Sequence, residues 1–150
     1  MTEPVGALAL EALGDGSGAV IADLYGRSLY WLVTPGSAAD WRLPHVSMLG
    51  AKAHEVTYVG VPPAGCVRGP GVHWRVPYAR DRYLTDPDRL HRALLSALTR
   101  TQVCRRCDTP TTEPVPVHVT HGASGPGHTL YACPPCAPLY SVRHQAVRSR

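Results

Sequence analysis

The sequence contains no phenylalanine, and Lys52 is the single lysine among its fifteen basic residues. Fifteen prolines and fourteen glycines interrupt a chain of 150 residues. Because proline and glycine end helices and strands, this composition predicts many turns, short elements and a modest core. The preference for arginine over lysine is typical of a high-GC genome and indicates no function by itself.

Long apolar runs are also missing, and none reaches the roughly 20 residues that a membrane-spanning helix needs. The first residues, MTEPVGALALEALGDG, carry acidic side chains where a secretory signal peptide would begin with basic ones. These absences predict a soluble cytoplasmic protein with no membrane partner. Because the cytosol keeps thiols reduced, we do not expect structural disulfides.

The charged residues are unevenly distributed. Residues 1–60 hold three Lys/Arg and six Asp/Glu, residues 61–100 hold seven and three, and residues 101–150 hold five and two. An acidic beginning followed by a basic remainder hints at a polyanionic partner. A solvated basic surface explains the same distribution, so both interpretations stay open.

Four of the five cysteines form two C-x-x-C pairs that are separated by a spacer of 25 residues. Four thiolates complete the tetrahedral coordination of Zn²⁺ and leave no open position, which is typical of a structural site. The predicted ligands of this structural Zn²⁺ are Cys104, Cys107, Cys133 and Cys136. The fifth cysteine, Cys66, lies in a loop rich in proline and glycine and is expected to be a spectator thiol.

Two alternatives for the cysteine pairs stay open. A redox C-x-x-C begins a helix inside a β-α-β pattern, which surrounds neither pair here, and two disulfides would need an oxidising compartment. One of the spacer histidines, His118, His121 or His128, could also replace a cysteine ligand. Because four cysteines suffice, we expect these histidines to lie on the surface or to serve packing.

The spacer divides into two predicted strands. Val115, Val117 and Val119 alternate with polar or turn residues, and residues 128–132 return after a loop tip at residues 122–127. The order of cysteine turn, strand, loop, strand and cysteine turn is that of a zinc ribbon.

The clearest helix is predicted at about residues 87–100. Asp86 suits the N-cap, and Pro87 suits the first helical position. Apolar residues then follow at the spacing of one helical face. They are Leu90, Ala93, Leu94, Ala97 and Leu98.

The first half of the chain favours β-structure. Residues 19–24 and 28–34 predict a hairpin, and residues 54–61 and 72–76 predict two further strands because they are rich in branched and aromatic side chains. Residues 5–13 predict only one or two helical turns.

The three tryptophans, Trp31, Trp41 and Trp74, are expected to be large core residues of the first half. An aromatic surface on which bases stack is the alternative. Together these patterns predict an α+β protein. A β-rich domain over residues 1–102, closed by the helix, precedes a zinc ribbon with a basic tail over residues 103–150.

Residues 103–136, with their two C-x-x-C pairs and an S-G-P-G turn before Tyr-Ala-Cys, resemble the zinc-ribbon modules of many small bacterial proteins. The resemblance implies metal binding and little more, because such modules serve many functions.

Residues 49–77, which contain TYVGVPPAGCVRGPGVHWRVP, resemble part of the N-terminal domain of bifunctional DNA primase–polymerases. In that family a Ser-x-His pair follows the Pro-Pro, and an Asp-x-Asp pair binds the catalytic metals. Here Ala64 and Cys66 stand in place of the Ser and His, and Asp23 is followed by Tyr25 where the second acid would be. One carboxylate cannot hold a two-metal site, so the resemblance implies a relative without nucleotide transfer.

These observations predict a non-enzymatic, zinc-containing accessory or regulatory protein that binds nucleic acid, since arginine pairs well with phosphate. The predicted footprint consists of Arg89, Arg92, Arg100, Arg105, Arg106, Arg143 and Arg148. The alternative is a protein-interaction module that docks on a partner protein or on its own copy. Its apolar face would comprise Val115, Val117, Leu130 and Tyr131. The oligomeric state stays open.

Overall fold

The computed structural model describes residues 1–50, 58–120 and 128–140. The chain divides into two compact units, Met1–Leu98 and Thr99–Arg150, which we call unit 1 and unit 2. Helices and small sheets are both present, which confirms the predicted α+β class. No helix within the described ranges combines the length and the apolar character needed to cross a membrane.

Unit 1 contains a three-stranded antiparallel sheet of β1 (Val20–Asp23), β2 (Ser28–Trp31) and β3 (Val72–Val76). The spatial order of the strands is β2-β1-β3. Strands β1 and β2 form the predicted hairpin, and the Asp23 carboxylate accepts a hydrogen bond from the backbone N–H of Gly26 at 3.0 Å in its turn. The predicted strand at residues 72–76 is also confirmed.

Alternation along β1 divides its side chains between the two faces of the sheet. Val20 and Ala22 pack with Leu29 on one face, whereas Ile21 packs with Trp74 on the other. Val20 pairs with Val76 and Ile21 pairs with Trp74, so the register shifts by one residue there. This bulge lets both Trp74 and Val76 point into packed regions.

Helix α1 (Glu3–Leu13) is longer than the one or two turns that the sequence predicts. Its buried residues Val5, Ala9 and Leu13 repeat every four positions, so they form a stripe along one side. A Cβ on Gly6 would lie 2.8 Å from the Leu29 side chain, so glycine permits the close approach of α1 to the sheet. The weak apolar pattern of the sequence did not predict the full length of α1, which tertiary packing therefore stabilises.

Helix α2 (Pro87–Thr99) confirms the predicted helix. The Asp86 carboxylate accepts a hydrogen bond from the backbone N–H of Arg89 at 2.8 Å and thereby caps the helix, as predicted. The apolar stripe of α2 packs with that of α1 in the main core of unit 1. This core contains Val5, Ala9, Leu13, Leu90, Ala93, Leu94 and Ala97.

The tryptophan prediction is confirmed for Trp74, which is buried, while Trp31 and Trp41 are half-buried against the helical core. The predicted strand at residues 54–61 is wrong in its described part. Residues 54–57 lie outside the described residues, and residues 58–61 contain no strand. Two prolines follow directly and lack the N–H groups that a sheet requires.

Unit 2 contains two small antiparallel pairs. Strands β4 (Gln102–Val103) and β5 (Pro110–Thr111) form one pair, and β6 (Val115–Thr120) and β7 (His128–Ala132) form the other. The two predicted ribbon strands are thus confirmed, although the register shifts between Pro116 and His118. The predicted loop tip at residues 122–127 lies outside the described residues.

Candidate metal centre

The four predicted ligands come together in unit 2. The Sγ atoms of Cys104, Cys107, Cys133 and Cys136 all lie within 4.8 Å of one another. The sulfurs of Cys107 and Cys133, which belong to different pairs, are 3.8 Å apart. A tetrahedral ion with metal–sulfur bonds of about 2.3 Å requires sulfur–sulfur separations of about 3.8 Å. The four cysteines could therefore bind a metal ion.

The first cysteine pair lies in the turn between β4 and β5. Cys104 donates its backbone N–H to the carbonyl of Thr109 at 3.0 Å and accepts from the N–H of Asp108 at 2.9 Å. Asp108 has a φ of 51°, the left-handed conformation that aspartate tolerates better than most residues. The turn is therefore tight enough to direct both thiols of the pair to one side.

The second pair begins directly after β7. The backbone N–H groups of Cys136 and Ala137 donate to the carbonyl of Cys133 at 2.9 and 3.0 Å, which closes a second tight turn. A hydrogen bond of 2.9 Å from the N–H of Arg105 to the carbonyl of Tyr131 joins the first turn to the end of β7. Backbone hydrogen bonds thus place the two pairs opposite each other.

The ionisation of the cluster is uneven. Burial opposes ionisation of the Cys104 thiol, but hydrogen bonds from the backbone of Cys107, Cys133 and Arg106 outweigh it and lower the pKa to about 6. The thiol–thiol hydrogen bond with Cys133, together with burial, raises the pKa of Cys136 to about 12. Because thiolates at this spacing repel one another, a complete set of four requires a bound cation.

The geometry of the cysteines differs from that of a disulfide or a redox site. All five cysteines are free thiols, so neither pair forms a disulfide. The strands that precede the pairs are antiparallel, without the β-α-β unit of a thioredoxin-like site. His118 and His128 lie on β6 and β7 outside the sulfur cluster, and His121 lies outside the described residues.

The predicted nucleic-acid residues are distributed over both units. Arg105 and Arg106 are exposed in the first cysteine turn, between two of the ligands. The remaining described arginines are exposed as well: Arg89 and Arg92 on α2, and Arg100 directly after it. Arg143 and Arg148 lie outside the described residues.

The positions of the primase–polymerase resemblance have local roles in unit 1. The carboxylate of Asp23 caps the β1–β2 turn through Gly26. The thiol of Cys66 lies 3.7 Å from the carbonyl oxygen of Val72, a weak contact of a half-buried side chain. Both contacts are local to unit 1.

Sequence reasoning missed one aromatic group. The ring centroids of Trp74 and Tyr78 are 6.3 Å apart, and those of Tyr78 and Tyr83 are 5.6 Å apart. In the segment YARDRY two tyrosines flank two arginines, and this composition was the signal that could have revealed the group.

Comparisons with protein-family models, with curated proteins and with solved structures found no match to this chain. The resemblances to zinc ribbons and to primase–polymerases therefore stay predictions, and the cysteine cluster is the feature that most directly indicates a function.

Proposed function

We propose that the protein is a non-enzymatic, zinc-containing accessory protein that binds nucleic acid. The proposal rests on the distribution of charged residues between the two units. Met1–Leu98 holds nine Lys/Arg and nine Asp/Glu, whereas Thr99–Arg150 holds six and two. The whole formal charge of +4 therefore belongs to the unit that contains the cysteine cluster.

Zinc is the ion that best suits the cluster. A tetrahedral set of four sulfurs is typical of zinc or of iron–sulfur centres. A closed set of protein ligands leaves no position for a substrate or a water nucleophile, which supports a structural and non-catalytic role. The described residues of unit 2 also contain no hydrophobic core cluster, so bound metal would supply much of its folding free energy.

Nucleic-acid binding is supported by the positions of Arg105 and Arg106. Both side chains are exposed on a turn whose backbone is hydrogen-bonded and whose ends are ligands. Metal binding fixes the backbone of such a turn. Less conformational entropy is therefore lost when its guanidinium groups contact phosphates. Arginine also donates two parallel hydrogen bonds to a phosphate.

The test is fluorescence anisotropy of the zinc-loaded protein with labelled single- and double-stranded DNA and RNA over a range of salt. We expect affinity to fall steeply as salt rises, because binding releases counterions from the phosphates. The double variant Arg105→Gln/Arg106→Gln should bind more weakly and reduce the slope of log affinity against log salt by about 1 for each lost phosphate contact.

The matched control is Arg27→Gln/Arg68→Gln, which removes the same charge from two exposed positions of unit 1. It should leave the affinity and the slope close to those of the parent protein. Equal effects of both double variants would show that only total charge matters, and absence of binding at low salt would eliminate the proposal.

A second candidate function is docking on a protein, including a second copy of the chain. Val115 and Val119 of β6 are exposed, Val119 by 50%, while Val117, Leu130 and Tyr131 are half-buried. Exposed valines on a small sheet favour an apolar contact. Sedimentation velocity over a range of concentrations would detect self-association, which Val119→Ser should abolish if this strand forms the contact.

A further inference from the structure

A second surface with aromatic and basic side chains lies in unit 1, in residues 77–84, which we call the aromatic loop. Backbone hydrogen bonds join its end, and Thr85 directly after it, to residues that flank β1 and β2. The N–H of Ala19 donates to the carbonyl of Tyr83 at 3.0 Å, and the N–H of Thr85 donates to the carbonyl of Leu32 at 2.8 Å. The loop is therefore a defined part of the fold.

Three aromatic rings form a row that runs from the core to the surface. Trp74 is 4% exposed and packs with Ile21, whereas Tyr78 is 45% exposed and Tyr83 is 40% exposed. The planes of neighbouring rings are tilted by 44° and 38°. Each tyrosine thus contacts another ring of the row while nearly half of its surface stays open to a ligand.

Such a row is suited to stacking. Ring contacts restrict the tyrosine side chains before any ligand arrives, so little conformational entropy remains to be lost on binding. Unpaired bases stack on exposed aromatic side chains with little dependence on sequence, because every base has a π face. Paired bases inside a duplex do not offer those faces.

The charges of the loop complement a phosphate backbone. Arg80 and Arg82 lie between the two tyrosines in sequence, and Asp81 is the only acid of the loop. Both arginines are exposed. One Nη of Arg82 donates to the carbonyl of Asp15 at 2.8 Å, which orients the side chain and leaves its other N–H groups for a ligand.

We propose that the aromatic loop binds single-stranded nucleic acid, with bases stacked on Tyr78 and Tyr83 and phosphates contacted by Arg80 and Arg82. This inference rests on the proposed nucleic-acid function and adds to it a preference for single strands. A proline-rich peptide could also pack on aromatic rings, but it offers no anionic groups to the two arginines. The charge pattern therefore favours the polyanion.

The first experiment compares ligands and needs no variant. The affinity of the full-length, zinc-loaded protein is measured by fluorescence anisotropy for a single strand, for an abasic strand of the same length and for a duplex. We expect the single strand to bind most tightly, because the abasic strand keeps the charge but has no bases to stack. Equal affinity for the intact and the abasic strand would overturn the stacking surface.

The second experiment tests whether the aromatic rings are needed for binding. Tyr78→Leu and Tyr83→Leu keep an apolar side chain but remove the aromatic ring, and each should weaken single-strand binding by about 5- to 150-fold. Tyr78→Phe and Tyr83→Phe keep the ring and should bind nearly as well as the parent protein. Loss of binding by the Phe variants would mean that the hydroxyl groups are recognised and would overturn stacking.

The matched control is Tyr25→Leu, because Tyr25 is 81% exposed and follows the other end of β1. The affinity of this variant for single strands should equal that of the parent protein. The variant Arg80→Gln/Arg82→Gln should weaken binding and reduce its salt dependence, since it removes two phosphate contacts. Thermal unfolding of each variant establishes that the fold is retained.

The outcomes separate this inference from the proposed function. If the Leu variants bind single strands like the parent while Arg105→Gln/Arg106→Gln does not, the loop proposal fails and the nucleic-acid function stands. If no nucleic acid binds, both fail. A proline-rich peptide that binds in place of single strands, and loses affinity in the Leu variants, would overturn the proposal in favour of a peptide surface.

Discussion

The two units of this protein differ in how much apolar surface they bury. In the described part of unit 1, buried apolar side chains form three clusters, the largest of them in α1 and α2. Where the structure describes unit 2, the fully buried residues are Cys104, Ala132 and Pro110, and the first of these belongs to the sulfur cluster. A small unit with short strands buries little apolar surface, so metal coordination by the four cysteines would take the place of a core.

The units also differ in charge. Unit 1 has equal numbers of acidic and basic residues, while unit 2 carries the net positive charge of the chain. The difference suggests a division of tasks within the proposed function. Unit 2 would provide long-range attraction to phosphate, and the aromatic loop of unit 1 would provide stacking.

The strongest test of this comparison removes one ligand. Cys104→Ser should unfold unit 2, because metal binding contributes on the order of 10 kcal/mol or more to the folding of small zinc modules. Hydrogen–deuterium exchange should show lost protection in β4 to β7 and retained protection in α2. The control is Cys66→Ser, which changes a half-buried thiol outside the cluster. It should leave the protection of both β4 to β7 and α2 unchanged. Collapse of the whole chain would show that the units are not independent.

The reciprocal test removes part of the apolar core. Leu94 is fully buried between the two helices, so Leu94→Ala should lower the free energy of unfolding of unit 1 by about 2–5 kcal/mol. Leu95 is exposed on the same helix, and Leu95→Ala should change stability by only about 0.5 kcal/mol. Both values come from denaturant unfolding followed by tryptophan fluorescence. If Leu94→Ala also weakened metal affinity, the two units would be coupled.

A change of pH should affect the metal centre more than the apolar core. Cys104, with its pKa lowered to about 6, is already ionised at neutral pH, whereas Cys136, with its pKa raised to about 12, still holds its proton. Metal binding must release that proton, so affinity should rise with pH by about 1.4 kcal/mol per unit for each proton released. Below pH 6 Cys104 also binds a proton, and the dependence should become steeper.

The measurement is competition with a chromogenic chelator at a series of pH values. The core of unit 1 contains apolar side chains that do not titrate, so its stability should change little over the same range. An affinity for metal that does not depend on pH would contradict coordination by thiolates that are protonated in the free protein.

The smallest expected effect concerns the start of α2. Asp86→Ala removes the side-chain cap and should destabilise unit 1 by about 1 kcal/mol. Asp81→Ala removes an exposed carboxylate that lies before the helix and serves as the control. Thermal unfolding monitored by circular dichroism measures both. An equal loss of stability in both variants would show that the removed charge, and not the capping hydrogen bond, is the cause.

Sequence patterns predicted the features that depend on neighbours along the chain. The spacing of the cysteines predicted their assembly into one cluster, since a short turn directs the two thiols of a pair to the same side. The stripe of Leu90, Leu94 and Ala97 predicted α2 because its periodicity is strong and its cap is a good one. The β1–β2 hairpin followed from two β-prone runs separated by a short turn.

Other features were not predictable in this way. The apolar pattern of α1 is weak, and its buried residues belong to one core cluster with Leu90 and Leu94, far away in sequence. The residues after position 57 favour strands by composition, yet residues 58–61 contain none, and two prolines without N–H groups follow them directly. Local propensity is a weak guide where long-range pairing decides the structure.

The sequence by itself determined the cysteine turns, the amphipathic helix and the excess of positive charge beyond residue 98, because each depends on residue type and short spacing. Only the tertiary structure decided that the sulfurs lie within 4.8 Å of one another and that Trp74, Tyr78 and Tyr83 form one row. The sulfurs come from two segments that a backbone hydrogen bond joins, and the row lies in one segment whose end is hydrogen-bonded to Ala19 beside β1. Those interactions form only in the folded chain, so a sequence pattern can indicate which groups meet but does not set the distances between them.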